Sequence, residues 1–248
     1  WVMFDLGRLR QKTHPLKRVS LHTRVVLATT LFLLIVGFIV ILALEWRNAF
    51  KSLSFIDKMI AAAFQSVTPR TAGFNTIHVS GLNQATLFFL IILMIIGASP
   101  GSCAGGIKTT TFAVLWAVLR NRSQDERNQV TLFKRAIPRT VIAKVTLVFL
   151  FAMSAVVVGC FLLCITESHT DYMRSQPNLF LQILFETASA LGTVGLSMGL
   201  TPHLSIAGKL VITFLMFAGR LGPLTLSIAV SHRAYNGIRL AEEDVWVG

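Results

Sequence analysis

Long uncharged apolar runs alternate with shorter ones along this chain, and the order of the alternation recurs. Val25 to Leu44 carries no charge and is long enough for one crossing of a ~30 Å hydrocarbon core. Phe55 to Val67 is apolar but too short to cross, and it runs into Thr68-Pro69-Arg70-Thr71-Ala72-Gly73-Phe74-Asn75. A re-entrant helix followed by an extended turn is predicted there. Leu87 to Ile96 resumes the apolar pattern, is interrupted by Gly97-Ala98-Ser99-Pro100-Gly101-Ser102-Cys103-Ala104-Gly105-Gly106, and continues from Thr109 to Leu119. The second half follows suit: Val141 to Ile165 is apolar with Lys144 as its one charge, and Leu179 to Leu191 is short and apolar before Gly192-Thr193-Val194-Gly195-Leu196-Ser197. A last span, Leu210 to Ala218 and Leu224 to Val230, is predicted to be interrupted at Gly219-Arg220-Leu221-Gly222-Pro223.

Each half therefore reads span, short helix, glycine turn, interrupted span. A constant displacement of 122 places Glu45 on Glu167, Thr71 on Thr193, Gly73 on Gly195, Met94 on Met216 and Gly97 on Gly219. The expected fold is an all-α integral membrane protein with tandem span–pore helix–filter–span repeats. Its parts are a basic segment 1–24, a pore repeat 25–120 whose second span 87–119 is broken, a loop 121–140, a pore repeat 141–231 and a tail 232–248.

Composition excludes a water-soluble globule, with 54% hydrophobic and only 14% charged residues against about 25% in ordinary soluble domains. The net charge of +12 does not signal nucleic acid, because the basic residues abut the apolar runs. Arg8 to Arg24 precede the first span, Arg120 to Lys144 lie between the second and third, and Arg233 and Arg239 follow the last. The positive-inside bias then puts both ends and the 120–139 loop in the cytoplasm, beside anionic lipid. The chain opens on Trp1 with neither initiator Met nor signal pattern, which is expected of a fragment.

Non-helical backbone at membrane depth must be buried in protein or line water, because an unpaired amide in lipid costs several kcal/mol. The two glycine turns therefore imply a cavity. In Thr71-Ala72-Gly73-Phe74 and Thr193-Val194-Gly195-Leu196 the glycine permits φ > 0, which lets neighbouring carbonyls turn to one axis and replace the water around a monovalent cation. A single Thr-x-Gly is an ordinary helix-ending turn; two in register argue for a filter. The stretch with Gly97, Gly101, Gly105, Gly106 and Lys108 cannot be a regular helix, so it is either a movable gate below the filter or a fixed kink. Arg220 inside a span either raises an electrostatic barrier in a cation path and bonds the 97–108 loop, or snorkels to an interface.

Nothing supports catalysis. His14, His22, His78, His169, His203 and His232 are scattered at span ends, and no HExxH or GxSxG occurs. Gly101 to Thr109 departs from a nucleotide P-loop at Ile107, which separates glycine from Lys108. Cys103, Cys160 and Cys164 match no zinc spacing and read as packing residues. Glu186, just before the second turn, is expected either to pair with a polar group behind the filter or to sit at the outer surface.

The motifs quoted at 68–75, 97–108, 190–197 and 219–223 resemble those of the Trk/Ktr/HKT superfamily of potassium transporters, and most resemble a bacterial Ktr-type membrane subunit. The resemblance implies four linked repeats around one pore, of which this chain supplies the third and fourth, with potassium at the filter carbonyls. It implies that Gly73 and Gly195 are filter glycines, that 97–108 is an intramembrane gating loop, and that Arg220 faces it. It further implies the first two repeats as an N-terminal partner, a homodimer in the inner membrane, and a cytoplasmic nucleotide-binding ring of the RCK/KTN type, with no organic cofactor on this chain. The expected function is potassium-selective uptake; a potassium/sodium-permeable transporter and a non-conducting scaffold subunit are the alternatives.

Overall fold

The computed structural model describes residues 20–102, 104–121, 130–133, 135–168 and 178–233, with the backbone alone from 222 to 233. Most of the basic segment 1–24, Cys103, Arg122 and Arg127 of the loop, Lys134, and the tail from 234 lie outside the described residues.

Ser20 opens the first helix, α1 (Leu21–Glu45), by accepting the Thr23 amide on its hydroxyl at 3.2 Å. The short helix α2 (Phe55–Val67) starts with a reciprocal pair, in which Ser54 Oγ accepts from the Asp57 amide and donates to Asp57 Oδ2. Outside it, Lys58 sits over the Trp46 ring at 4.6 Å and Phe55 meets that ring edge-on. After a 3₁₀ turn at Val79–Gly81 come α3 (Gln84–Ile95), an irregular segment 96–108, and α4 (Thr109–Asn121).

A two-residue hairpin follows, β1 (Thr131–Leu132) with β2 (Arg135–Ala136), paired antiparallel in a loop for which no strand was expected. The second half contains α5 (Arg139–Glu167), α6 (Leu179–Gly192), a 3₁₀ turn at Thr201–His203, and α7 (Ile206–Arg233). The interruption expected at Gly219–Pro223 is absent, since α7 runs through it as one helix. Pro223 removes one donor from the ladder. α7 packs on both α5 and α6, and these contacts outweigh the one lost bond.

The halves meet where α3 packs on α6. Ile41, Phe50, Leu90 and Met94 from the first half share one buried cluster with Phe185, Val194 and Leu196 from the second. A second cluster joins Cys160, Leu163, Ile183, Ile212 and Leu215 across α5, α6 and α7, with Cys164 packed against it. Among the described residues, α1 and α5 are long and apolar enough to cross a membrane. Their outward faces leave Leu31, Phe32, Ile39, Val157 and Phe161 exposed, as a lipid-facing surface requires.

Candidate functional site

Both short helices end in the same backbone signature. Thr71 and Thr193 adopt left-handed φ values of 70° and 51°, and two residues later Gly73 and Gly195 adopt 72° and 94°. A threonine in that region is a strained conformation, held only when its surroundings fix it. The helix ends supply part of the hold: the Ala72 and Gly73 amides donate to the Thr68 carbonyl, and Thr193 and Val194 donate to Ala190 and Ser189.

The two turns lie against each other. A Cβ on Gly73 would overlap the Val194 carbonyl oxygen, while the nearest atom to one on Gly195 would be the Gly73 Cα at 3.9 Å. Thus Thr71, Ala72, Gly73 and Phe74 are brought beside Thr193, Val194, Gly195 and Leu196. A cavity of about 500 Å³ opens next to Gly195, with Glu186, Ser197, Thr201 and Lys209 on its wall.

What holds the chain beyond each turn differs. In the first half, the buried Thr68 hydroxyl donates to the Phe74 carbonyl at 2.6 Å. In the second, the buried Glu186 carboxylate accepts from Ser197 Oγ at 2.5 Å, the Met198 amide at 3.0 Å and Thr201 Oγ1 at 2.8 Å. Glu186 therefore pairs behind the turn rather than standing at the surface. Arg70, one residue before the first turn, reaches back to the Thr30 carbonyl of α1 at 3.5 Å.

Segment 96–108 is closed at its base. The Ile107 amide donates to Ile95 and that of Thr109 to Ala98, at 3.0 and 3.2 Å. Lys108 turns its ammonium back onto the Ala104 carbonyl. Gly97 lies against the Gly105 carbonyl, Gly101 and Gly106 take left-handed φ values of 83° and 65°, and Gly105 donates its amide to Thr193 Oγ1 at 2.9 Å. The loop is thus seated directly on the start of the second turn. Arg220 is exposed on α7, immediately after Gly219, whose missing Cβ lets α7 touch the Leu191 carbonyl. His22, His78 and His203 are exposed; His14 and His169 and the side chain of His232 lie outside the described residues.

Two functional-looking residues escaped sequence reasoning. Glu45 and Glu167, noted only as repeat markers, are buried and cap the helix that begins on the far side of each turn. Glu45 accepts from the Asn83 amide at 2.9 Å and Thr86 Oγ1 at 2.5 Å, and Glu167 from the Ser205 amide and hydroxyl at 3.2 and 2.7 Å. Asn83 and Ser205 stand 122 residues apart, as the glutamates do. That signal was available in the sequence.

A family model described as TrkH, cation transport protein, matches residues 2–236. The chain belongs to the TrkH family of cation transport proteins. It is 39% identical over 253 residues to the Ktr system potassium uptake protein B of Bacillus subtilis, covering all of this chain and 53% of that protein. It is 36% identical over 240 residues to the potassium/sodium uptake protein NtpJ of Enterococcus hirae, covering 95% of this chain and 52% of that one. In fold it resembles the potassium transporter TrkH from Vibrio parahaemolyticus, with a TM-score of 0.63 at 21% identity, over 84% of this chain and 44% of that structure. This TrkH-family chain thus spans about half the length of the curated relatives it matches. The family is described as one of cation transport, and the two curated relatives are named as uptake proteins for potassium or potassium and sodium.

Proposed function

We propose that this chain supplies two of the four repeats of a potassium-selective pore that takes up the ion passively, driven by the membrane potential at ~2.3 kcal/mol per charge per 100 mV. The observation that carries the reading is the pair of Thr-x-Gly turns, alike in left-handed backbone and lying against each other. Carbonyls of 71–74 and 193–196 would replace water around potassium, and the C-terminal ends of α2 and α6 would add partial negative charge. Loop 97–108 would obstruct the path below the filter, and Arg220 would add an electrostatic barrier beside it. The first two repeats, a homodimeric partner and a cytoplasmic nucleotide-binding ring complete the assembly, with both ends of this chain on the cytoplasmic side of the inner membrane.

The deciding experiment is cation uptake by the full-length protein in vesicles, wild type beside Gly195→Ser, with potassium and sodium at equal concentration. Gly195 has a φ of 94°, where a side chain is strained. Preference for potassium in the wild type and its loss in the variant is the expected result; selectivity indifferent to Gly195 sinks the filter. Equal uptake of both ions by the wild type would favour a potassium/sodium carrier, as the name of the Enterococcus relative prompts.

A further inference from the structure

Of the two second spans, only the first is broken: 96–108 separates α3 from α4, whereas α7 is continuous. The loop that results reaches 88 residues along the chain to bond the turn of the other half. Resting on the pore reading above, we propose that the Gly105 amide and the Thr193 hydroxyl form a latch, so that displacing the loop releases the filter threonine and loosens ion discrimination as the path opens.

Three features carry this. The contact is close and specific: Gly105 N–H donates to Thr193 Oγ1 at 2.9 Å, and a Cβ on Gly105 would lie 2.7 and 2.8 Å from Thr193 Oγ1 and Cγ2. No residue but glycine lets the loop sit this low. Thr193 itself holds a left-handed φ of 51°, which a β-branched residue keeps only under restraint, and the latch is one of its restraints. Finally, the loop is anchored at its base. Its roots are tied by Ile107 to Ile95 and Thr109 to Ala98, while Gly101 between them takes a left-handed φ with open space around it. A single neutral hydrogen bond biases such an equilibrium by about threefold to tenfold, enough to favour the seated loop and weak enough to be reversed by a regulatory movement elsewhere.

The test uses the full-length protein in lipid vesicles, with deuterium uptake of the backbone amides at 104–107 measured beside basal leak and the potassium/sodium uptake ratio. Thr193→Val removes the acceptor and keeps the shape; Thr193→Ser keeps the hydroxyl. Thr193→Val is expected to speed exchange at 104–107 by about threefold to tenfold, raise the leak and lower the ratio, while Thr193→Ser exchanges as the wild type does. Unchanged exchange at 104–107 in Thr193→Val overturns the latch. Gly195→Ser separates the two readings: lost selectivity with exchange at 104–107 untouched leaves the pore standing whatever Thr193→Val does, and retained selectivity removes the pore and the latch together.

Discussion

The Glu167 carboxylate bonds Ser205 as the Glu45 carboxylate bonds Asn83, joining the last turn of α5 to the start of α7 and that of α1 to the start of α3. Both carboxylates are buried, so losing the negative acceptor leaves desolvated donors behind. One difference between the halves is that Thr86 adds a hydroxyl to Glu45, while its counterpart Gly208 leaves room, and a Cβ there would overlap Glu167 Oε1. Glu45→Ala and Glu167→Ala should each cost about 2–4 kcal/mol, and Gly208→Ala a smaller but clear amount. Thermal midpoints of the detergent-solubilised protein check this, with Gly81→Ala, which would meet nothing within 4 Å, as the silent control.

Two glycines at the α7 interface should respond very differently to alanine. On Gly159 of α5, a Cβ would lie 2.6 Å from Leu215 Cδ1, the end of a side chain that can change rotamer. On Gly219 it would overlap the backbone carbonyl of Leu191, which cannot move without shifting α6 and the Thr193 turn that follows. Overpacking against a mobile methyl costs roughly 1–3 kcal/mol, whereas the backbone clash should prevent α7 from docking. Gly159→Ala is therefore expected to express with a lowered midpoint and Gly219→Ala to express poorly or aggregate, read by size-exclusion profiles.

Much of the helical layout was legible because apolar runs were bounded by strong local signals. α2 starts at Phe55 after the Ser54–Asp57 cap, and α4 starts at Thr109 where the glycine stretch stops. Local rules failed where tertiary packing decides. Pro223 marked a break that α7, supported along α5 and α6, does not make. The contact between Gly105 and Thr193 joins residues too far apart for any periodicity to reveal. The roles of Glu45 and Glu167 fell between these cases, since the displacement of 122 relates their partners as well, yet hydropathy gives no reason to look at Asn83 and Ser205.

Glu186 ties the chain after the second turn, where the first half uses the local Thr68 to Phe74 bond. Its three donors, Ser197 Oγ, the Met198 amide and Thr201 Oγ1, lose their acceptor in Glu186→Ala. Glu186→Gln keeps an acceptor oxygen but sets an amide N–H₂ against donors. Both should lower the midpoint, Ala by about 2–3 kcal/mol and Gln by less, with Thr201→Val costing about 1 kcal/mol. On the pore reading the potassium/sodium uptake ratio should fall in the same order, because the carbonyls of 194–196 lose their outer anchor.

Strain and space can be separated at two glycines that share a left-handed backbone. Gly73 has a φ of 72° with the Val194 carbonyl against it, while Gly101 has a φ of 83° and nothing within 4 Å of a new Cβ. Gly101→Ala therefore carries only the conformational penalty, about 1–2 kcal/mol. Gly73→Ala carries that penalty and a backbone overlap that must push the two turns apart. The expected outcome is a modest loss of stability with ion preference kept in Gly101→Ala, and a larger loss with preference abolished in Gly73→Ala, measured by thermal midpoint and paired potassium and sodium uptake. Equal effects in the two variants would mean that backbone conformation alone, and not the contact between turns, sets their behaviour.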